Sequence, residues 1–171
     1  MALINTLRTI GGFIRSMITR YTPLDLSRDS LEGIFNYLPI SESIITSGQP
    51  TEQQFRFVKD AGFRHVINLA PHRAENALPD ERATLESLEI SYVHIPVDWQ
   101  KPREEDFKRF CEEMQRLGET PVLVHCAANM RVSAFMYRYR RDVLHEEEKE
   151  LARDLQKIWD PFGVWKDFIA P

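Results

Sequence analysis

Two residue types that together handle oxyanions, a cysteine and an arginine, stand close in the stretch PVLVHCAANMRVSAFMYRYR, residues 121–140. Cys126 ends a run of β-formers, and a helical pattern follows from Val132 to about Leu144. A loop leading from a strand into a helix N-terminus presents unpaired backbone N–H groups and the positive end of the helix dipole. Such a place binds phosphate or a similar oxyanion, and it lowers a thiol's pKa toward the nucleophilic thiolate. Arg131 at the far lip can hold two phosphoryl oxygens and stabilise charge as the group transfers. Ala127, Ala128, Asn129 and Met130 would form the anion-binding loop, and Asn129 is the residue that best tolerates a left-handed backbone there. Cys126 alone is equally readable as an inert core cysteine. Its combination with His125, Arg131 and the strand–loop–helix placement favours the oxyanion loop. Cys111 lies on the apolar face of a helix and reads as core filler.

Those residues need a scaffold. ESIITSGQP predicts a short strand and a turn. In TEQQFRFVKDAGF, Thr51 and Gln54 have capping-box spacing and Gly62 supplies a stop. HVINLA and SYVHIPV read as strands, and LPDERATLESLEI as a helix with acids in its first turn. PREEDFKRFCEEMQRLG predicts a helix from Pro102 to Gly118 with Phe107, Phe110, Cys111 and Met114 on one face. TPVLVH is the most apolar strand, and EEEKELARDLQKIW a last helix. Alternating strands and helices point to an α/β fold with a central, mainly parallel sheet flanked by helices. Ligands gather at the carboxyl ends of such strands. The loops 70–77, 97–101 and 126–131 should therefore meet.

The 171 residues suit one domain, expected at 37–171 and preceded by an N-terminal helix and connector, 1–36. A net charge of −4 argues against a nucleic-acid partner. Two cysteines without CxxC or zinc spacing argue against a disulfide scaffold or a metal site, and point to the reducing cytoplasm.

The segment VHCAANMRVS resembles the signature loop of the cysteine-dependent protein tyrosine and dual-specificity phosphatases. There His-Cys is followed by five residues, Arg, then Ser or Thr. With SGQPTEQQF, AGFRHVINL and ISYVHIPVD, the stretch from Tyr37 to Trp165 resembles a bacterial phosphatase-like branch of that superfamily, long known as a domain of unknown function. The resemblance implies a phosphatase fold without a cofactor or metal, acting on a phosphorylated substrate. It also implies Cys126 as a nucleophile forming a phosphocysteine, Arg131 binding the phosphoryl oxygens, Ser133 assisting the leaving thiolate, His125 orienting the loop and Asp98 as general acid. Here only four residues separate Cys126 from Arg131. One helical position turns a side chain by about 100°, so Arg131 faces the anion only if the loop itself is one residue shorter. A phosphate-binding module without turnover, and a rhodanese-like sulfurtransferase carrying a persulfide on Cys126, are the competing expectations.

Asp98 lies 28 residues before Cys126 on a converging loop, where an aspartic acid can protonate a leaving oxygen; a turn-forming role is the alternative. His72 and Arg73 sit on another such loop, as substrate contacts or as solvated side chains. Arg138, Arg140 and Arg141 read as a solvated face. Trp159, Phe162 and Trp165 should pack as core or cover.

In the N-terminal segment Leu3, Leu7, Ile10, Ile14 and Met17 follow helical spacing, with Ile4 and Ile18 beside them, and Arg8, Arg15 and Arg20 stand without an acid. The helix either covers the domain's own core or lies on a membrane surface or partner. Gly11-Gly12, which weakens an isolated helix, favours the cover.

Overall fold

In the computed structural model, residues 2–21, 30–71 and 73–170 are described. Four strands, β2 (Ile44–Ser47), β3 (His65–Asn68), β4 (Ser91–His94) and β5 (Val122–His125), run parallel and make up most of the sheet. A two-residue strand β1 (Leu38–Pro39) pairs antiparallel with β2, giving the order β1-β2-β5-β3-β4. The most apolar strand, β5, is buried along its whole length between β2 and β3. A strand flanked on both sides and covered on both faces has no solvent side to alternate toward, so its residues read as a continuous apolar run.

Helices supply the covers. In α2 (Glu52–Asp60) the Thr51 hydroxyl accepts from the Gln54 amide while the Gln54 side chain caps in return. Its Phe55 and Val58 pack with Val66, Leu85 and Leu123 on one face of the sheet. On the other face α4 (Glu104–Leu117) and α5 (Met130–Asp142) bury Phe107, Phe110, Met114, Val132, Phe135 and Met136. Pro102 precedes the Arg103 cap of α4. Leu85 brings α3 (Glu81–Ser87) beside α2 on the first face, and α6 (Glu148–Ile158) and α7 (Val164–Ile169) close the α5 side. Trp159 and Trp165 are fully buried, as their composition suggested, whereas Phe162 is exposed. Cys111 is half-buried, and burial pushes its thiol up to about 11, an inert side chain.

Two expectations are corrected. The arginines of α5 form no solvated face. Arg138 lies over the rings of Phe107 and Phe168, at 4.0 and 4.6 Å, and pairs with Glu104 of α4. Arg140 is buried and bridges Glu146 and Asp154, at 2.7 and 2.8 Å, and Arg141 donates to the Ile169 carbonyl at the end of α7. Together they tie α4, α6 and α7 to α5.

The second correction concerns α1 (Ala2–Tyr21). Its apolar stripe does not cover the core: Leu7, Ile10 and Ile14 are exposed, together with Ile4 and Ile18. The polar side packs inward instead. The Thr9 hydroxyl donates to the Ile158 carbonyl at 2.6 Å, Asn5 donates to the Gln156 carbonyl, and the Thr6 hydroxyl accepts from the Asp160 amide. Gly12 permits the close approach, since a Cβ there would run into the Phe35 ring.

Candidate active site

The carboxyl ends of β2, β5 and β3 lie side by side. Ser47 and Asn68 flank His125 in register. The Cys126 amide donates to the Ser47 carbonyl, and the Leu69 amide to the His125 carbonyl. Cys126 is fully buried at the base of the following turn.

That turn is short because Asn129 adopts the left-handed backbone its side chain suggested, with φ 64°, and α5 begins immediately at Met130. Among the described residues, the backbone N–H groups of Ala127, Ala128, Met130, Arg131 and Val132 meet no acceptor. Its carbonyls, by contrast, are held from outside. Ala127 O accepts from the Gln49 amide and from Asn76 Nδ2, and Ala128 O accepts from Asn36 Nδ2 at 3.0 Å. Asn129 Nδ2 donates to Asn36 O and to Thr46 Oγ1. Gly48 passes so near that a Cβ would meet the Phe35 ring and the Ala127 carbonyl.

Arg131 occupies the second position of α5 and is half-buried. Its Nε donates to Val97 O at 3.0 Å and its guanidinium lies over the Trp99 ring at 5.2 Å. The two Nη groups have no partner among the described residues. Val97 precedes Asp98, so Arg131 holds the loop that carries the expected acid. Trp99 fixes that loop further, packed between Trp159 and Trp165, with its carbonyl accepting from Trp165 Nε1 at 2.9 Å. Asp98 itself is exposed, and its carboxylate accepts from the Gln100 amide at 2.7 Å. Ser133 is buried, donating to Met130 O and accepting from Trp159 Nε1. Arg73 is exposed on the loop after β3, and His72 lies outside the described residues.

His125 is fully buried, with its ring edge-on to Phe55. Its Nε2 stands 3.2 Å from Glu81 Oε1, near enough for electrostatic attraction but off the line of a good hydrogen bond. Glu81, the first residue of α3, is a site residue the sequence did not disclose. An acid in a first helical turn is ordinarily explained by the helix dipole. This one is 8% exposed and accepts from Asn68 Nδ2 at 2.7 Å and from Gln49 Nε2. Burial alone would raise its pKa. The pull of His125 and the bonds from Gln49 and Tyr92 outweigh that and hold the carboxyl well below the usual range. Gln49 was legible as part of SGQP, but nothing in that motif pointed to its partner.

The sheet order, the buried cysteine at the carboxyl end of β5 and the turn into α5 define the cysteine-dependent phosphatase fold of the tyrosine and dual-specificity type. Residues 17–161 match the family described as a DSP-PTPase phosphatase fused to NAD+ kinase, and the chain belongs to that family. A DUF442 candidate phosphatase of Shewanella putrefaciens is 35% identical, with a TM-score of 0.72 over 81% of this chain and 91% of that one. The TpbA structure of P. aeruginosa, solved with pTyr, shares the fold at 19% identity and a TM-score of 0.59 over 71% of this chain and 72% of its own. So does the core domain of the PP-IP phosphatase SIW14 of S. cerevisiae, at 14% identity and a TM-score of 0.67 over 80% and 84%. Beta-lactamase hydrolase-like proteins of Agrobacterium fabrum and Xylella fastidiosa are 30% and 32% identical over 95 residues, 54% of this chain. The chain aligns with only 22% of the length of those relatives.

Proposed function

We propose that the chain hydrolyses a phosphate monoester through a phosphocysteine on Cys126. The observation that carries this reading is the buried thiol beneath the turn at the N-terminus of α5, where the N–H groups of Ala127, Ala128, Met130, Arg131 and Val132 meet no acceptor among the described residues. The helix end and the amides favour an anion, and the same field favours the thiolate. The thiolate attacks phosphorus, the phosphorus–oxygen bond to the leaving group breaks, and Asp98 passes its proton to that oxygen. Water, deprotonated by Asp98, then attacks phosphorus and the sulfur–phosphorus bond breaks, returning the thiolate and releasing phosphate. Arg131, its Nε already engaged by Val97 O, would meet the phosphoryl oxygens with its two Nη groups. His125 and Ser133 support the loop from beneath and behind. This chemistry needs a reduced thiol and suits the cytoplasm. No described helix is long and apolar enough to cross a membrane.

The engagement of Arg131 Nε favours one alternative, a phosphate-binding module with little turnover. The deciding experiment is p-nitrophenyl phosphate hydrolysis by wild type, Cys126→Ser, Asp98→Asn and Arg131→Lys, beside a thiosulfate sulfurtransferase assay. We expect turnover by wild type, none by Cys126→Ser, and losses of about 100-fold for the other two. Vanadate binding without hydrolysis would leave the binding module, and sulfur transfer from thiosulfate would overturn both.

A further inference from the structure

We propose that α1 docks the protein on the surface of an anionic lipid bilayer. The usual order of an amphipathic helix is reversed here. Thr6 and Thr9 are buried and Asn5 bonds inward, while Ile4, Leu7, Ile10, Ile14 and Ile18 stand 40–68% exposed in one stripe along the helix. Five large aliphatic side chains in a row on a helix about 30 Å long make a continuous apolar strip, and strips of that extent mark interaction surfaces. The seat beneath is specific: Thr9 also accepts from Asn36 Nδ2, and Gly12 admits the Phe35 ring. The outward orientation of the stripe is therefore fixed by bonds on the opposite side.

Charge selects the occupant. The segment from Ala2 to Tyr21 contains Arg8, Arg15 and Arg20 and no acid, in a chain whose net charge is −4. At 100° per residue, Arg8 and Arg15 fall on one flank of the stripe, and both are exposed. An apolar strip edged by guanidinium groups is the arrangement that sinks into the headgroup boundary of a bilayer while its cations meet lipid phosphates. A second copy packed antiparallel on the strip would instead bring the same positive edge against itself.

The test is sedimentation of the full chain with vesicles of phosphatidylcholine alone or with roughly one-third phosphatidylglycerol. We expect binding at least about tenfold tighter to the anionic vesicles, weakening with added salt. Ile10→Glu/Ile14→Glu should abolish it, and Arg8→Gln should weaken it about fivefold on anionic vesicles and leave neutral ones unaffected. All three positions are exposed, so these variants should melt with wild type. Failure to sediment with either vesicle, or binding that the double variant retains, would overturn the proposal. A dimer in solution that the double variant dissolves, with no vesicle binding, would assign the strip to a second copy and overturn it as well. Phosphatase turnover by the protein bears on neither outcome.

Discussion

Replacing Glu81 by glutamine tests whether one buried carboxylate holds the cysteine loop together. It receives Asn68 from β3, Gln49 from the loop after β2, and faces His125 at the end of β5. Glutamine keeps the shape but offers one acceptor and a two-hydrogen donor, so one of the two incoming amides loses its acceptor and meets another donor. A hydrogen bond to a charged group contributes about 1.5–3 kcal/mol, and a buried donor left unpaired costs a similar amount. The net loss should be about 3 kcal/mol, or roughly 6–12 °C in Tm for a chain of this size. The loss should depend on pH. The Glu81 carboxyl is depressed to about 2 from an ordinary 4.5. Its contribution is thus complete above about pH 5 and disappears as pH falls through the folded value. Thermal melts of both proteins from pH 7.5 to pH 3 should show a gap that is full at the upper end and closes toward the lower. The reasoning fails if E81Q melts within about 1 kcal/mol of wild type at pH 7.5, or if the gap widens in acid.

Other substitutions probe separate parts. Asn129→Gly retains the left-handed backbone but loses the bonds to Asn36 O and Thr46 Oγ1, so about 2 kcal/mol should disappear in urea unfolding. Asn129→Ala adds the strain of a positive φ, about 1 kcal/mol more, and the order of the two variants is the check. Arg140→Ala leaves the carboxylates of Glu146 and Asp154 without their buried partner and should destabilise by about 3 kcal/mol in the same assay.

The strands and helices were legible because their patterns are local. β5 reads as an apolar run, the Thr51–Gln54 capping box has fixed spacing, and Asn129 is one of few side chains suited to positive φ. The candidate site was legible as far as the shared placement of Cys126, His125 and Arg131, which lie within seven residues of one another. Glu81, Asn76 and Asn36 were not, because their roles come from pairings across 44, 51 and 92 residues that no spacing encodes. The α5 arginines misread as solvated because sequence shows a charge run but not the acids of α4 and α6 that face it. The N-terminal helix had the expected periodicity. Which side it turned inward depended on Phe35, Asn36 and the end of α6, all distant in sequence.

A peptide unit points its carbonyl and its N–H in opposite directions. The outward bonds to Ala127 O and Ala128 O therefore also set the directions of the Ala128 and Asn129 N–H groups, which share those peptide planes. Rotating either plane would break bonds from Asn76, Gln49 or Asn36 before anything bound. The turn is in this sense a rigid mould, its shape settled during folding and not on encounter with a ligand. The side chains at 36 and 76 would then act on anion affinity through geometry alone, and their replacement should read as weaker vanadate binding by a protein that still folds.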